Sequence, residues 1–504
     1  MIIIAMYLPQ FHRVKENDEW WGDGFTDWIA AKNAESLHPD HYQPHIPLNS
    51  NYYDLLDKKT MLWQADLMKQ YGVDVQCFYH YWFRDGKRIL EKPAENLLQW
   101  KDIDMPFCFC WANESWARTW SRLGGVNVWV QTPEQEQGKP DTAFLIEQEY
   151  GQETQWKQHF EYLLPFFADK RYLKIENKPV FFFLNSTRIP CLGEMAQKWN
   201  EWAIENGFAG LYLIGASSNY SITEHLDVVL HHEPRHILEL YRERKRPRFL
   251  KYDEVWEALL AYRDYREKAI YGGFVGYDDS PRQGKKGTII ENASPERFRV
   301  YLAELIAKNI AHNNDLIFLN AWNEWGEGMH LEPDEKHGYG FLEAVRYARE
   351  HYTEYLKKYQ SNSSEEILAL KKEIGLWAKK SARYEGYWRA LDAWLFLKED
   401  GVSVASLLRD RGIHRIAIHG MGMLGKHLLE ELRDTEIQIE YFVDKSATSF
   451  RPGIKTYAPD EELPKTEVIV STRAYEFLAI RKKLEQQGHK NVISLEQMLL
   501  EAVQ

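Results

Sequence analysis

Eight short apolar runs recur along the first 325 residues, and they limit the fold more than any other feature of the sequence. Each run is nearly continuous in apolar character instead of alternating, which is typical of parallel strands buried on both faces. The sequence therefore predicts a largely parallel sheet. The runs span residues 2–11, 73–83, 106–114, 179–186, 211–218, 227–234, 273–282 and 316–325.

Segments with helical periodicity lie between most of these runs. Residues 54–72 carry apolar side chains at helical spacing and end at Gly72, a residue that commonly terminates helices. Similar segments span 156–169, 192–207, 294–310 and 340–359. Eight strands that alternate with helices over about 350 residues predict a (β/α)8 TIM barrel. An open doubly wound α/β sheet is the alternative.

In such a barrel the active site lies at the carboxyl ends of the strands. Most of the predicted strands end in aromatic, amide or acidic residues, and the chain carries 19 Trp in 504 residues. We predict one polar, ring-lined cavity that binds carbohydrate; the alternative is that the rings fill a large core. The predicted substrate-binding residues at strand ends are Tyr7, Gln10, His12, Tyr79, Tyr81, Trp82, Trp111, Asn113, Glu114, Asp278, Arg282, Asn320, Trp322, Asn323 and Trp325.

Glu324 and Glu327 follow the last apolar run and are the predicted catalytic residues. Glycosyl transfer and glycoside hydrolysis both need two carboxyl groups beside the anomeric carbon. Gly326 and Gly328 are expected to allow unusual backbone angles that aim both acids inward. The neighbouring Trp side chains are expected to raise the pKa of one glutamate by desolvation. The alternative is a pair of solvated loop acids.

Charge and cysteine usage exclude several classes of protein. The net charge is −12 and no basic stretch is long enough to follow a phosphate backbone, so nucleic acid is not expected as a partner. The cysteines, at 77, 108, 110 and 191, lie mostly in apolar runs, which predicts buried, reduced thiols. Because neither a signal peptide nor an apolar stretch of about twenty residues is found, we expect a cytoplasmic protein, with association at the inner face of the membrane left open.

As a set, the motifs resemble a known group of enzymes. "WNEWGEG" (322–328), followed by "LEP", is similar to the active-site stretch of glycoside hydrolase family 99, the endo-α-mannosidase type. The wider pattern over about residues 1–355 resembles the related WbsX family of glycosyltransferases, which implies O-antigen, lipopolysaccharide or capsule assembly. The other motifs are "YLPQFH" (7–12), "NDEWWGDGFTDW" (17–28), "HYQPHIPL" (41–48), "CFYHYWF" (77–83), "LEKP" (90–93), "PFCFCWANESW" (106–116) and "GYDDSPR" (276–282). They add Trp20, Trp21, His41 and Tyr42 to the predicted substrate-binding residues.

The resemblance to family 99 implies a retaining mechanism through a 1,2-anhydro sugar. Glu324 would help to remove the proton of the 2-hydroxyl, and Glu327 would be the general acid toward the leaving oxygen and later the general base. Gly326 departs from the family, because the hydrolases carry His there, and this weakens the expectation of mannosidase specificity. No metal is implied, and metal binding by residues 231–236 or 278–279 is the minority interpretation.

A second domain follows a polar break at 359–366 and a charged helical stretch with Trp377, Trp388 and Trp394. A strand leads into a GxGxxG motif, a helix follows, and a further strand ends in an acid, as in dinucleotide-binding folds. We predict a small Rossmann-like unit that binds a nucleotide or nucleotide sugar at the helix N-terminus. A packing module that binds nothing is the alternative. The predicted cofactor-binding residues are Gly420, Gly422, Gly425 and Asp444.

The predicted domains are a barrel at 1–358, a helical linker at 359–399 and the Rossmann-like unit at 400–504. The leading hypothesis is a glycosyltransferase of surface-polysaccharide biosynthesis with an oligosaccharide or polysaccharide substrate. A nucleotide-sugar donor and peripheral contact with a lipid-linked glycan are the expected partners. The alternatives are an endo-acting retaining glycoside hydrolase of the α-mannosidase type and a non-catalytic sugar-binding scaffold.

Overall fold

The computed structural model describes residues 1–117, 144–216, 225–242, 249–264, 269–360, 387–388, 390–446, 449–472 and 477–503. The chain divides into two compact units, one built mainly from residues up to 371 and one mainly from residue 372 onward. Most of the predicted linker, including Trp377, lies outside the described residues. Each unit is therefore described separately.

The first unit contains a closed barrel of parallel strands. Its strands are β1 (Ile2–Tyr7), β2 (Val75–Trp82), β3 (Phe107–Trp111), β4 (Lys178–Phe183), β5 (Tyr212–Gly215), β6 (Val228–His231), β7 (Ala269–Tyr271), β8 (Gly273–Phe274) and β9 (Leu316–Asn320). Each strand from β1 to β6 pairs in parallel with the next, and both β8 and β1 pair with β9. Because β7 and β8 are two parts of one barrel strand, the pairing closes, and the predicted (β/α)8 barrel is confirmed over the open sheet.

Gly272 forms the joint between β7 and β8. Its backbone N–H donates to the carbonyl oxygen of His231 at 3.1 Å. A Cβ at this position would lie 2.4 Å from the same oxygen, which belongs to the backbone of β6. The barrel therefore closes at a point where two backbones approach so closely that only glycine fits.

The seventh strand differs from the predicted run 273–282. The barrel strand begins at Ala269 and leaves the wall after Phe274. The sequence pattern does not predict this start, because the three apolar residues before Gly272 are too few to form a recognisable run. The residues that follow belong to a separate small sheet, made of Phe249–Lys251, Ile289–Glu291 and Tyr277–Asp278. The chain therefore turns away from the barrel wall earlier than the sequence pattern predicts.

Helices cover the outside of the barrel and its ends. Lys58–Tyr71 begins at Asp57, whose side chain accepts from the Lys59 N–H, and it ends at Gly72 with a φ of 81°, as predicted. None of the helices in the described ranges is long and apolar enough to cross a membrane. The helices are Lys15–Trp21, Asp27–Lys32, Lys58–Tyr71, Lys92–Gln99, Glu153–Ala168, Leu192–Glu205, Arg235–Arg242, Tyr252–Ala261, Ser280–Gln283, Pro295–Ala311, Gly340–His351 and Leu356–Gln360.

The barrel interior contains the predicted buried thiols. Cys77 lies in β2 directly beside Cys108 in β3, and Cys110 lies two residues further along β3. All three are buried and none forms a disulfide, whereas Cys191 is partly exposed.

Short two- or three-residue strands complete this unit at Arg88–Ile89, Trp116–Ala117, Phe144–Ile146, Lys174–Ile175, Asn323–Glu324 and Met329–His330.

The second unit is a small parallel α/β sheet, as predicted. Its strands lie in the spatial order Thr456–Tyr457, Gln438–Val443, Arg415–His419, Val468–Ser471 and Val492–Ser494, and all neighbours are parallel. Separate clusters of buried apolar residues lie around the sheet, as in doubly wound folds. The helices are Val404–Asp410, Met423–Glu431, Phe477–Gln486 and Leu495–Val503.

We predict that Gly272→Ala destabilises the barrel, because the new methyl group would collide with a backbone oxygen that cannot rotate away. Overpacking of this kind lowers the free energy of unfolding by about 1–3 kcal/mol. The measurement is the melting temperature, followed by indole fluorescence. Gly422→Ala is the control, since Gly422 has a φ of −69° and nothing within 4 Å of the added atom. Equal melting temperatures for both variants would contradict the argument.

Candidate functional site

A cavity of about 440 Å³ opens at the carboxyl ends of the barrel strands. It is lined by residues that follow β1, β3, β4, β6, β8 and β9, together with ring side chains of β2. The cavity therefore lies at the end of the barrel where (β/α)8 enzymes have their active sites. The predicted site residues that line it are Gln10, Trp21, Tyr79, Tyr81, Glu114, Arg282, Asn320, Glu324 and Glu327.

Arg282 holds the two predicted catalytic glutamates on one guanidinium group. Its Nη2 donates to Glu324 Oε2 at 3.1 Å and to Asp27 Oδ1 at 3.0 Å, and its Nη1 donates to Glu327 Oε1. The planar fork of arginine suits this geometry, because its N–H groups diverge in fixed directions. Three carboxyl groups from two distant parts of the chain thus converge on one cation beside the cavity.

The two glutamates differ in environment. The Glu324 side chain is only 7% exposed, whereas 27% of the Glu327 side chain is exposed. Burial raises the pKa of Glu324 to about 8, and Arg282 opposes this shift while Glu327 and Asp27 add to it. Near neutral pH, Glu324 therefore exchanges a proton more readily than an ordinary surface glutamate does.

Gly326 and Gly328 serve different purposes. Gly328 has a φ of 62°, in the left-handed region that favours glycine, as predicted. Gly326 has no such angle, so the predicted reason for it is wrong. A Cβ at Gly326 would lie 2.7 Å from Asp27 Oδ2 and 2.8 Å from Arg282 Nε, and its N–H donates to Asp27. Glycine is needed here because the Asp27–Arg282 pair occupies the side-chain space.

The two tryptophans of the motif are anchors beneath the turn that carries the glutamates. The indole N–H of Trp322 donates to Glu332 Oε1 at 2.9 Å, and that of Trp325 donates to Glu332 Oε2 at 2.8 Å. Gln64 and Tyr53 donate to the same carboxylate at 2.7 and 2.8 Å. Burial raises the pKa of Glu332 to about 7, and these four donors oppose the shift. Both indoles are buried and neither lines the cavity, which corrects their predicted substrate contact.

Two asparagines join neighbouring strand ends at the mouth of the barrel. Asn323 accepts from the Leu8 N–H at 2.7 Å and donates to the Leu8 carbonyl at 3.0 Å. Asn113 makes the same pair of bonds with the backbone of Asn185, each at 2.9 Å. A side-chain amide presents the same donor and acceptor as a peptide group, so each asparagine extends the pairing between strands. Both are fully buried, which corrects their predicted role in contacting substrate.

Other predicted substrate-binding residues also lie away from the cavity. Trp111 donates to the Trp82 carbonyl at 3.0 Å, and His41 lies 2.6 Å from Asp278 Oδ2. Their polar atoms hydrogen-bond to other groups of the protein. A prediction from residue type at strand ends therefore gives too many substrate-binding residues. The predicted residues outside the cavity lining are Tyr7, His12, Trp20, His41, Tyr42, Trp82, Trp111, Asn113, Asp278, Trp322, Asn323 and Trp325.

Sequence reasoning missed several residues that line the cavity. Asp27 and Trp116 lie inside motifs that carry the family resemblance, so the signal was present. His232 directly follows strand β6, in the position where active-site residues are expected. Arg235 and Glu239 lie on the helix after that strand, and no pattern in the sequence distinguishes them from surface residues.

One group of described residues has the composition of a metal site, namely His45, His330 and Asp334. His45 Nδ1 lies 2.9 Å from His330 Nε2, and Asp334 Oδ2 lies 3.8 Å from the same nitrogen. His330 Nδ1 lies 3.1 Å from the Glu332 carbonyl oxygen, so Nε2 is the acceptor for His45. A hydrogen bond between the imidazoles accounts for the pair, and none of the three residues lines the cavity.

The glycine motif of the second unit adopts a tight turn before a helix. Gly420 has a φ of 93°, and a Cβ on Gly425 would lie 2.2 Å from the Gly420 carbonyl oxygen. Asp444 Oδ2 accepts from the Met421 N–H at 2.7 Å, so this acid supports the turn itself. The four predicted residues lie together at one sheet edge, and nucleotide binding there stays a prediction.

We predict that Glu332→Gln lowers the free energy of unfolding by about 2–4 kcal/mol, because one amide group would face two buried donors that it cannot accept from. The measurement is thermal unfolding followed by indole fluorescence. Glu335→Gln is the matched control, since Glu335 lies three residues further on and is exposed. Equal stability of the two variants would show that the carboxylate does not anchor the indoles.

Comparison with known proteins places this geometry in context. The model of the family described as glycosyltransferase WbsX matches residues 3–345. The uncharacterized protein WxcX of Xanthomonas campestris pv. campestris strain B100 is 32% identical over 369 residues, which are 69% of this chain and 49% of that protein. The chain thus spans about half the length of the curated relatives it matches.

Solved structures of low sequence identity are also similar. An endo-α-mannosidase of glycoside hydrolase family 99 from Bacteroides thetaiotaomicron, in complex with Bis-Tris propane, has 13% identity and a TM-score of 0.43, with 71% of this chain and 98% of that chain covered. A β-galactosidase from Marinomonas ef1 has 8% identity and a TM-score of 0.35, with 98% and 75% covered. The match of the family model over more than half of the sequence shows that the chain belongs to the WbsX glycosyltransferase family.

Proposed function

We propose that the chain is a carbohydrate-active enzyme that transfers glycosyl groups in the barrel cavity, with Glu324 and Glu327 as the acid–base pair. The observation that carries this proposal is the arrangement of both carboxyls on Arg282 at the cavity wall. Acid–base chemistry at an anomeric carbon requires two carboxyl groups beside it, and the wall of this cavity supplies both. Tyr79, Tyr81 and Trp21 supply the rings that line the same space.

The proposed reaction has two steps. In the first, Glu324 accepts the proton of the sugar 2-hydroxyl, O2 bonds to C1, and the bond from C1 to the leaving oxygen breaks as Glu327 protonates that oxygen. In the second, Glu327 removes a proton from an incoming hydroxyl, which opens the 1,2-anhydro ring at C1, and Glu324 returns its proton to O2. The raised pKa of Glu324 suits this role, because a base with higher proton affinity removes a weakly acidic proton more easily.

The identity of the incoming hydroxyl decides between transfer and hydrolysis. A sugar acceptor gives a glycosyltransferase, which the family description favours, and water gives an endo-acting hydrolase with the same two glutamates. The family resemblance further supports a role in surface-polysaccharide biosynthesis, with contact to a lipid-linked glycan at a membrane as part of the proposal. Binding of a nucleotide or nucleotide sugar by the second unit is proposed as a separate property.

We predict that Glu324→Gln and Glu327→Gln each lower turnover by a factor of roughly 10² or more, as loss of acid–base assistance does. Turnover is measured by mass spectrometry with α-mannan fragments and with nucleotide sugars. Glu335→Gln, which removes an exposed carboxylate outside the cavity, is the control and should keep full turnover. Near-full activity in either cavity variant would remove that residue from its role. Ligand binding with no turnover in the unaltered protein would favour the sugar-binding scaffold.

We predict a bell-shaped dependence of kcat/KM on pH, because the first step needs Glu324 ionised and Glu327 protonated, so that the active pair carries one proton. The last proton leaves the pair as pH rises through about 8, the pKa of Glu324, and kcat/KM should fall there. The measurement is the pH profile of kcat/KM. A kcat/KM that keeps rising above that pH would contradict the paired acid–base roles.

A further inference from the structure

We propose that the barrel cavity takes an uncharged glycan as its glycosyl donor and excludes sugars that are activated by a diphosphate. This inference rests on the proposed function, because it concerns the substrate of the same cavity. It does not concern the second unit, where a nucleotide would bind independently of the barrel. The charge of the cavity lining, the partners of Arg282 and two neutral polar groups in the wall all favour an uncharged donor.

The cavity lining is strongly acidic. Among the residues that the structure describes, seven carboxylic acids line it, whereas only two cationic side chains do, those of Arg235 and Arg282. The diphosphate of a nucleotide sugar is anionic, and bringing it into a partly enclosed space lined by like charges is unfavourable. A neutral sugar carries no such penalty. The charge of the wall therefore discriminates between the two kinds of donor.

Both arginines are already paired. Arg282 donates to Asp27, Glu324 and Glu327, and these contacts use both of its terminal nitrogens. Arg235 donates to Asn185 Oδ1 at 3.0 Å and lies 3.4 Å from Glu239. A phosphate could therefore recruit Arg282 only by displacing a carboxylate, whereas Arg235, whose side chain is 45% exposed, keeps one terminal nitrogen outside these contacts. The guanidinium beside the two glutamates is thus fully committed to the protein's own carboxylates.

The helix that begins at the cavity wall is also unavailable to phosphate. Free backbone N–H groups at a helix N-terminus commonly bind anions. At the start of Arg235–Arg242, however, the Glu233 carboxylate accepts from the Ile237 N–H at 2.8 Å and contacts His236 Nδ1 at 2.9 Å. The protein itself thus supplies the anion at this position.

Two neutral polar groups in the cavity wall suit a sugar hydroxyl. Asn320 Nδ2 donates to the Glu233 carbonyl and contacts His232 Nε2 at 3.2 Å, while Asn320 Oδ1 is buried and has no hydrogen-bond partner among the described residues. Since His232 Nε2 is the acceptor, its Nδ1 carries the proton, and that nitrogen also lacks a partner. The wall thus contains one acceptor and one donor that the described residues leave unsatisfied, and each is a neutral group that can bond a sugar hydroxyl.

The chemistry agrees with the electrostatics. When a glycosidic bond breaks, the leaving sugar oxygen must gain a proton, and Glu327 supplies it in the proposed reaction. A nucleoside diphosphate leaves as a stable anion and needs no such proton. A general acid at the cavity wall is therefore useful for a glycoside donor and of little use for a diphosphate donor.

The test uses the full chain with matched donors. The neutral probes are trisaccharides of mannose, glucose, galactose and rhamnose, and the charged probes are GDP-mannose, UDP-glucose, UDP-galactose and dTDP-rhamnose, with and without Mg²⁺. Consumption is measured by mass spectrometry in the unaltered protein and in Glu327→Gln, so that only turnover that depends on the barrel is scored. We expect a neutral trisaccharide to be consumed, with a KM that changes less than about twofold between low and high salt.

Asn320→Ala should raise KM for the neutral donor about three- to tenfold, as expected for one lost hydrogen bond, with a smaller change in kcat. His232→Ala is the second variant, because Asn320 also bonds the backbone and its replacement could disturb the fold.

Consumption of a nucleotide sugar that is lost in Glu327→Gln would overturn the inference while leaving the paired-glutamate function intact. Consumption of a trisaccharide that persists in Glu327→Gln would instead overturn the proposed function.

Discussion

The buried carboxylate of Glu332 is the interaction on which the candidate site depends. It accepts hydrogen bonds from the indoles of Trp322 and Trp325, which lie on either side of Glu324 in the sequence, and from Gln64 and Tyr53. A buried carboxylate is costly unless its oxygens are satisfied, and here each oxygen has two donors. The backbone that presents Glu324 and Glu327 is thereby attached to the barrel core from below, so the turn is held rigidly without help from a ligand.

Above that turn, a second charged cluster occupies the space that a side chain at Gly326 would fill. Asp27 and Arg282 come from segments far apart in sequence and meet within 3 Å of the position of the missing Cβ. A guanidinium and a carboxylate thus fill that space, so the surroundings of the two glutamates are ionic.

The sequence predicted the barrel, the parallel second sheet, the WbsX family and the strand ends that surround the cavity. These follow from patterns that repeat along the chain or from motifs of several residues. Side-chain direction was less predictable. Trp322, Trp325, Asn113 and Asn323 have the residue types of a sugar site, yet their partners lie in the core or on a neighbouring backbone. Only the three-dimensional structure shows that these side chains hydrogen-bond to Glu332 and to backbone groups at the strand ends.

The asparagine pairs at the barrel mouth have a further consequence. Asn113 and Asn323 join strand ends through neutral amides, whose hydrogen bonds do not change over the pH range in which carboxyl groups gain and lose protons. These two junctions of the rim therefore keep their hydrogen bonds when the acids in the cavity gain or lose protons. Changes in acidity would alter the charge inside the opening without breaking either junction.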